Sequence, residues 1–330
     1  MENRKKDHIS LAFDTQTPPI EKDDRFIYEP MVSGHPNTEM PPIPLGNKYL
    51  LNPIWISSMT GGTKMAGKIN QNLAQVASEF GLGMGLGSCS IILKNEKALP
   101  DFDLRDIIGE ERPFYANMGI AQIEYFLQKD DLKTVIDLVN LLKADGMVVH
   151  VNPIQEWLQP EGDKIKEPPI ETIREFAKHF PKNIIVKEVG QGMGRESLRQ
   201  LLELPLTAIE FGGFGGTNFA KVELSRRNDA TAEHLDPFSY VGHTAEEMTQ
   251  SVNDLLQENI PVKTESLIIS GGIKNFIDGY YLMKKSKMPS IYGMASTFLK
   301  YAKEDYEQLQ AFMKVQTDGL KMANAYLKVK

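Results

Sequence analysis

The sequence feature that most constrains the fold of this chain is an alternation, repeated eight times, of a short apolar run and a segment with helical periodicity. The apolar runs, which we predict to be strands, are 54–58, 83–87, 113–117, 147–151, 184–188, 208–211, 266–270 and 290–293. Helices are predicted over 66–79, near 101–108, and over 120–143, 169–179, 195–203, 244–257, 274–284 and 297–328. Because strands that alternate with helices form parallel sheets, eight such units predict an α/β protein with a single (β/α)8 TIM barrel.

The main alternative is an open parallel sheet that binds a dinucleotide at a glycine-rich fingerprint. Two stretches begin like the G-x-G-x-x-G motif, but Ser88 ends the one that starts at Gly83, and Arg195 ends the one that starts at Gly190. The absence of a complete motif weakens the open-sheet interpretation.

Three segments lie outside the eight units. The N-terminal arm, residues 1–53, is rich in proline and is predicted to begin with a short helix near 4–13. A polar insert at 212–243 follows the sixth strand and is a candidate lid that excludes water from the site. The helical pattern over 297–328, which is one helix or a pair of helices, forms a C-terminal extension. Since barrels of this size are often one domain, we predict that residues 1–330 form a single domain.

Composition and charge exclude several classes of function. The 330 residues are 41% hydrophobic and 25% charged, as in ordinary globular proteins, and the net charge of −7 predicts no general affinity for nucleic acid. The single cysteine, Cys89, cannot form a disulfide within the chain and is expected to be a small packing residue in a reducing cytoplasm. No apolar run is long enough to cross a bilayer, and the charged N-terminus has no apolar segment behind it, so we expect no membrane association.

Polar or glycine-rich clusters follow all eight predicted strands. They are Ser58 to Gly62, Gly87 to Ser88, Asn117 to Gly119, His150 to Glu156, Lys187 to Gly192, Gly212 to Thr217, Ser270 to Gly272 and Gly293 to Ser296. The active site of a TIM barrel lies at the C-terminal ends of its strands, so these clusters are predicted to meet there. The glycines after the seventh and eighth strands are also at the position where such barrels bind phosphate through backbone N–H groups.

The end of the fourth strand carries the densest polar group, which contains His150, Asn152, Gln155 and Glu156 around Pro153. Two interpretations remain open: a cleft that meets a ligand, or a loop that local bonds between side chains and backbone close. His150 and Glu156 are ordinary candidates for acid–base work, whereas Gln155 does not titrate and can only position or relay a proton. The carboxylate of Glu156 also suits Mg²⁺, which prefers oxygen ligands.

Lys187 ends an otherwise apolar strand, and a buried lysine needs an anionic partner. Three roles are open: an internal pair with Glu188 or Glu210, a Schiff base with a carbonyl substrate, or a contact with an anionic cofactor atom.

Near the N-terminus, Arg4, Lys5 and His8 form a basic group. It is either a solvated tail or, if the first helix covers the barrel mouth, a set of ligands for a diphosphate.

Together these motifs resemble the type 2 isopentenyl-diphosphate isomerases, which are FMN-dependent TIM-barrel enzymes. The matching residues are Arg4-Lys5-x-x-His8, Ser58-Met59-Thr60-Gly61-Gly62, Gly87-Ser88, Asn117 with Gly119, His150-x-Asn152-x-x-Gln155-Glu156, Gln159-Pro160-Glu161-Gly162, Lys187-Glu188-Val189-Gly190-x-Gly192, Gly215-Gly216-Thr217-Asn218-Phe219, Glu223 with Arg226-Arg227, and Ser270-Gly271-Gly272. The combination is far more specific than a generic barrel pattern, and it extends from Arg4 to about Leu299.

The resemblance implies interconversion of isopentenyl diphosphate and dimethylallyl diphosphate, with FMN in its reduced state, NADPH as the reductant, and Mg²⁺. It implies FMN contacts from Met59, Thr60, Gly61, Ser88, Asn117, Lys187 and Thr217, and phosphate contacts from Gly271, Gly272, Ala295 and Ser296. It implies substrate contacts from Arg4, Lys5, His8, His150, Asn152 and Gln155, and a metal contact from Glu156. It also implies, by analogy, a homo-oligomer such as a tetramer or octamer.

Moving a double bond requires one proton to be added to an alkene carbon, which is a poor base. Another proton must be removed from the allylic C–H, which is a very weak acid. If Glu156 is committed to Mg²⁺, the acid–base work falls to the reduced flavin, with Gln155, His150 and Lys187 as the catalytic side chains and Lys187 offsetting the flavin's negative charge. Two alternatives are an FMN-dependent 2-hydroxy-acid oxidoreductase on the same barrel and a non-catalytic FMN-binding protein.

The sequence departs from the family pattern at two positions. Ser90 stands where many members have an arginine, which removes one candidate diphosphate ligand, and Ala295-Ser296 replaces a common Ser-Arg pair.

Overall fold

Eight parallel strands close into a barrel in the computed structural model of this chain, which describes residues 2–36, 39–59, 63–227 and 232–330. The strands in these residues are β1 (Phe26–Tyr28), β2 (Ile43–Leu45), β3 (Lys48–Leu50), β4 (Ile54–Ile56), β5 (Gly83–Gly85), β6 (Phe114–Gly119), β7 (Gly146–Val151), β8 (Asn183–Glu188), β9 (Ala208–Glu210), β10 (Ser266–Ser270), β11 (Ser290–Met294) and β12 (Leu327–Val329). Strands β4 to β11 are neighbours in chain order, and β11 pairs with β4 to close the ring. The predicted TIM barrel is therefore confirmed.

Helices surround the barrel and fill the connections between its strands. In the described residues they are α1 (Glu2–Leu11), α2 (Lys64–Phe80), α3 (Ser90–Lys94), α4 (Arg105–Ile108), α5 (Ile120–Gln128), α6 (Leu132–Leu141), α7 (Pro153–Leu158), α8 (Pro169–His179), α9 (Arg195–Leu202), α10 (Phe219–Arg226), α11 (Ala232–Leu235), α12 (Ala245–Gln257), α13 (Phe276–Lys285), α14 (Ser296–Ala302) and α15 (Tyr306–Tyr326). None of them is long and apolar enough to cross a membrane.

Both faces of the barrel strands are buried, as expected for a parallel sheet covered by helices. On β7, Met147 and Val149 belong to the outer core with the helices, whereas Val148 belongs to a separate cluster inside the barrel. The inner cluster also takes Leu45 and Leu50 from the hairpin formed by β2 and β3. Since this hairpin packs at the start of the strands, the N-terminal end of the barrel is closed and the C-terminal end is left for the site.

The helical pattern predicted over 120–143 consists of two helices, α5 and α6. Asp130 has a positive φ of 53°, a conformation that no helix continues through. Asp131 then begins α6 as its N-cap, and its carboxylate accepts a hydrogen bond from the Thr134 amide.

The two ends of the chain are joined by a contact that the sequence did not predict. Residues 327–329 form β12, which pairs antiparallel with β1 of the N-terminal arm. The helical prediction therefore extends too far at its end, although the division of 297–328 into two helices, α14 and α15, agrees with it.

The polar insert is partly helical rather than irregular. It contains α10, α11 and a 3₁₀ turn at Asp236–Tyr240, while residues 228–231 lie outside the described part of the chain. Its role as a lid remains a prediction.

Arg105 is a deeply buried cation, with its side chain 1% exposed. Its guanidinium donates hydrogen bonds to the carbonyl oxygens of Lys143, Gly109 and Arg112, and to the Asp145 carboxylate at 2.9 Å. All of these partners lie near the N-terminal end of the barrel, so Arg105 stabilises the end opposite the site.

Replacement of Arg105 by Ala is expected to lower the free energy of unfolding by about 3–5 kcal/mol, because it leaves buried carbonyls and a carboxylate without their partner. Arg199→Ala is the matched control, since Arg199 makes only exposed ion pairs with Glu196 and Glu203, and it should cost less than about 1 kcal/mol. Urea denaturation measures both. Equal losses in the two variants would contradict this account of Arg105.

Candidate active site

The inward face of the barrel changes from apolar to polar at the C-terminal end of six strands. Inward side chains recur every second residue, so the residue two positions after an interior one also points inward. Each of the interior residues Trp55, Tyr115, Val148, Ile185, Ala208 and Ile268 is followed at this spacing by Ser57, Asn117, His150, Lys187, Glu210 and Ser270 respectively. The site is therefore the continuation of the interior cluster, with polar side chains in place of apolar ones.

A cavity of about 530 Å³ opens above this polar layer, at the ends of β4 and of β8 to β11. Seven of the residues predicted to bind FMN line it: Met59, Lys187, Thr217, Gly271, Gly272, Ala295 and Ser296. Glu210 forms part of the floor. The structure thus brings together residues that lie up to 237 positions apart in the sequence, from Met59 to Ser296.

Backbone, rather than side chains, forms one wall of the cavity. Gly271 and Gly272 have positive φ values of 101° and 73°, which favour glycine, and a Cβ on Gly271 would lie 2.1 Å from the Gly213 carbonyl oxygen. Helix α14 starts at the same wall. Its N-cap residue, Ala295, has no side-chain oxygen that could accept hydrogen bonds from the first backbone N–H groups of the helix. Open backbone N–H groups of this kind suit a phosphate.

Lys187 enters the cavity without a direct carboxylate partner in the described residues. Its Nζ donates to the backbone carbonyl oxygen of Glu188 at 2.6 Å. The carboxylate of Glu188 is instead held by the backbone amides of Gly190, Gln191 and Gly192 at 2.6–2.8 Å. The close ion pair between Lys187 and the Glu188 carboxylate, which was one possible role of Lys187, therefore does not occur.

Glu210 is a buried carboxyl, which the sequence alone indicates only as a possible partner for Lys187. It is 0% exposed and accepts hydrogen bonds from Trp55 Nε1 at 3.2 Å and Ser270 Oγ at 3.4 Å. Burial raises its pKa, and the positive charge of Lys187 acts in the opposite direction. The alternation of inward residues along β9 is the signal that places Glu210 in the site.

His150 is held as a neutral imidazole. Burial, together with the charge of Lys187, lowers its pKa from 6.5 to about 4. Its Nδ1 lies 2.6 Å from Oδ1 of Asn117, so the neutral ring donates from Nδ1 and keeps the Nε2 lone pair as an acceptor. Gly119 allows this placement, because a Cβ there would lie 2.9 Å from Nε2.

Asn152, Gln155 and Glu156 form one hydrogen-bonded group at the start of α7. Asn152 Nδ2 donates to Glu156 Oε1 at 2.9 Å and to Gln155 Oε1 at 3.2 Å. The other oxygen of Glu156 accepts from the Asp163 amide at 2.7 Å. Oδ1 of Asn152 is buried without a hydrogen-bond partner in the described residues, which suits a bound ligand or the hydration shell of a cation.

Glu223 and Arg226 join this group from the insert, and sequence reasoning gave them no role. Gln155 Nε2 donates to Glu223 Oε1 at 3.0 Å, and Arg226 Nη1 donates to Glu223 Oε2 at 2.6 Å. In the sequence, only the family motifs indicate that Glu223 and Arg226 matter. Their contact with Gln155 depends on how the insert folds back over the site, and no local pattern predicts that path.

Other predicted residues are not brought into the cavity wall. Arg4, Lys5 and His8 lie on α1, and every residue from 3 to 24 is exposed. Ser88 is exposed and its hydroxyl pairs with that of Ser90 at 3.1 Å. Thr60 and Gly61 lie outside the described residues. The roles predicted for these side chains remain predictions.

Within the described residues, no group of three or more His, Cys, Asp or Glu side chains could hold a metal ion by itself. Cys89 is fully buried, and burial raises its thiol pKa to about 12, so it packs as a neutral side chain.

Solved structures with the same architecture include flavin enzymes. The flavin-binding domain of baker's yeast flavocytochrome b2 matches with a TM-score of 0.62 at 12% identity, covering 91% of this chain and 72% of that one. A mandelate oxidase variant with benzaldehyde matches with a TM-score of 0.61 at 11% identity, covering 93% and 87%. At such identities the likeness shows the fold alone, so the chain is a (β/α)8 barrel protein with a polar cavity at the C-terminal ends of its strands.

Sequence relatives define the family within this class. No family model matches the chain. The isopentenyl-diphosphate delta-isomerase of Rickettsia felis is 33% identical over 276 residues, which cover 83% of this chain and 76% of that protein. That of Rickettsia akari is 34% identical over 256 residues, covering 77% and 71%. The chain belongs to the isopentenyl-diphosphate delta-isomerase family.

The protonation state of His150 can be tested directly. We expect its imidazole to titrate near pH 4 in the folded protein, because both burial and Lys187 disfavour the charged form. The pKa of His150 is lower in the folded state than in the unfolded state. The free energy of unfolding should therefore decrease as the pH falls from about 6.5 towards 4. Two-dimensional NMR of the imidazole, assigned with His150→Asn, measures the midpoint. A midpoint near 6.5 would contradict a neutral, desolvated ring.

Proposed function

We propose that this protein interconverts isopentenyl diphosphate and dimethylallyl diphosphate, as a step of isoprenoid biosynthesis, with FMN in the cavity. Family membership supports the reaction. The observation that carries the proposal is the junction of two features: a cavity with a glycine backbone wall and, beside it on the same ring of strand ends, the group from His150 to Glu156. A mononucleotide and an alkene substrate would meet at this junction.

The residues present fit FMN. The backbone wall at Gly271 and Gly272 and the start of α14 would hold its phosphate, and Lys187 would lie against the ring system. The hydroxyl of Ser58 lines the same cavity and is buried without a hydrogen-bond partner in the described residues, so it would gain one from the cofactor. When bound in reduced form, FMN would supply a proton donor and acceptor for the isomerisation.

The side chains would position the substrate and stabilise charge. Asn152 and Gln155 would orient the reacting part of the substrate, and neutral His150 would offer Nε2 as an acceptor. Lys187 would offset negative charge on the cofactor. Glu156 would bind Mg²⁺ together with diphosphate oxygens, which matches the preference of this ion for one or two carboxylates plus substrate phosphates.

Further parts of the proposal concern cellular context and assembly. NADPH would reduce the cofactor, and the protein would act in the cytoplasm as a homo-oligomer, a tetramer or octamer. The arm supports association, because its apolar side chains Ile9, Phe13 and Ile20 are 73%, 80% and 92% exposed in the single chain. Arg4, Lys5 and His8 would bind diphosphate if helix α1 covers the barrel mouth.

Redox dependence tests the proposal. With Mg²⁺ present, we expect isopentenyl diphosphate to be converted to dimethylallyl diphosphate when bound FMN is reduced by dithionite or NADPH, and not when it is oxidised. Proton NMR follows both isomers, and absorbance follows the reductant, which should not be consumed with turnover. Conversion at full rate with oxidised FMN would show that side chains alone transfer the protons. Stoichiometric loss of reductant would instead favour an oxidoreductase.

A further inference from the structure

Helices α7 and α10 form a small unit over the barrel mouth. Leu158 of α7 packs with Ala220 and Leu224 of α10 in an apolar cluster that is separate from the main core. Arg227, which follows α10, donates to the Leu158 carbonyl oxygen at 3.0 Å. The insert and the helix that carries Gln155 are therefore in contact through apolar packing and through a hydrogen bond from an arginine side chain to a backbone carbonyl.

Arg226 joins the same two segments by charge. One nitrogen of its guanidinium donates to Glu223 Oε2 at 2.6 Å, and another donates to Glu161 Oε1 at 2.7 Å, in the loop after α7. The two partners differ in environment, since the side chain of Glu161 is 58% exposed and that of Glu223 only 4%. Arg226, which is half exposed, thus forms an ion pair with the buried carboxylate of Glu223.

The buried carboxylate in turn determines which way the Gln155 amide faces. An ionised carboxylate can only accept hydrogen bonds, so it selects the NH₂ end of the amide. Gln155 Nε2 accordingly donates to Glu223 Oε1 at 3.0 Å, and its Oε1 accepts from Asn152 Nδ2 at 3.2 Å. A displaced Glu223 would no longer impose this orientation.

We infer that Arg226 is a positioning residue for the reaction: through Glu223 it fixes the orientation of the Gln155 amide. This inference rests on the proposed function, because it takes Gln155 as a catalytic side chain. Arg226 itself is half exposed and acts only through the carboxylate between them. Its contribution should therefore appear in turnover and not in cofactor binding.

A double-mutant cycle between Arg226 and Gln155 tests the inference on the FMN-loaded, reduced enzyme. Arg226→Gln should lower kcat about tenfold or more, because a buried carboxylate loses its charged partner, while the KM for isopentenyl diphosphate changes less than kcat. Arg226→Lys keeps the charge and should recover part of the loss. In the Gln155→Ala background, Arg226→Gln should cause no further loss. Arg199→Gln, which removes an ion-pairing arginine of similar exposure on α9, is the control and should leave kcat unchanged.

The result has clear alternatives. If Arg226→Gln retains the kcat of the Arg199→Gln control, or lowers kcat equally in the wild-type and Gln155→Ala backgrounds, Arg226 does not act through Gln155 and the inference is overturned. A failure of the proposed function is distinguishable, because the wild-type protein would then show no isomerisation.

Discussion

The hydrogen-bonded register between β6, β7, β8 and β9 is the constraint on which the site depends. It aligns Gly119, His150, Lys187 and Glu210 in one row across four neighbouring strands. Because all four positions point into the barrel, a shift of one residue in any strand would turn its member of the row towards the helices. Closure of the ring fixes this register, so the fold and the chemistry of the site are set by the same contacts.

The row also explains the electrostatics of the site. Lys187 stands between a neutral imidazole and a buried carboxyl, and its charge lowers the pKa of His150 while it opposes the rise at Glu210. Burial of such groups costs stability unless they are paired or hydrogen-bonded. Other buried polar atoms of the site have no hydrogen-bond partner in the described residues, including Asn152 Oδ1 and Ser58 Oγ. The barrel offsets this cost with its apolar interior below the site and with the hydrogen bonds of Arg105 at the opposite end.

Much of the architecture could be predicted from the sequence, because each β-then-α unit is specified locally by its own apolar pattern. Helix α8 even has the predicted bounds, Pro169–His179. The break at Asp130 was missed, since apolar periodicity continues on both sides of it. The pairing of β1 with β12 depends on residues at opposite ends of the chain, and no local sequence pattern predicts such a contact.

The cavity was predictable to a similar degree, since it lies where the C-terminal ends of parallel strands must meet. Lys187, Gly271 and Ser296 come together there for that reason. Glu223 could not be assigned a partner, because its contact with Gln155 depends on the path of the insert. Arg4 is the opposite case, because its motif is visible in the sequence but the arm that carries it is exposed in the structure.

Isomerisation requires the site to exchange protons at the carbons of an unactivated alkene. The most direct measurement is the incorporation of deuterium into isopentenyl diphosphate and its isomer in D₂O, with the FMN-loaded protein kept reduced and Mg²⁺ present. We expect deuterium at the carbons that gain or lose protons, in amounts that increase with each turnover and that mass spectrometry and NMR can follow. An absence of incorporation by folded protein with reduced FMN bound would contradict it.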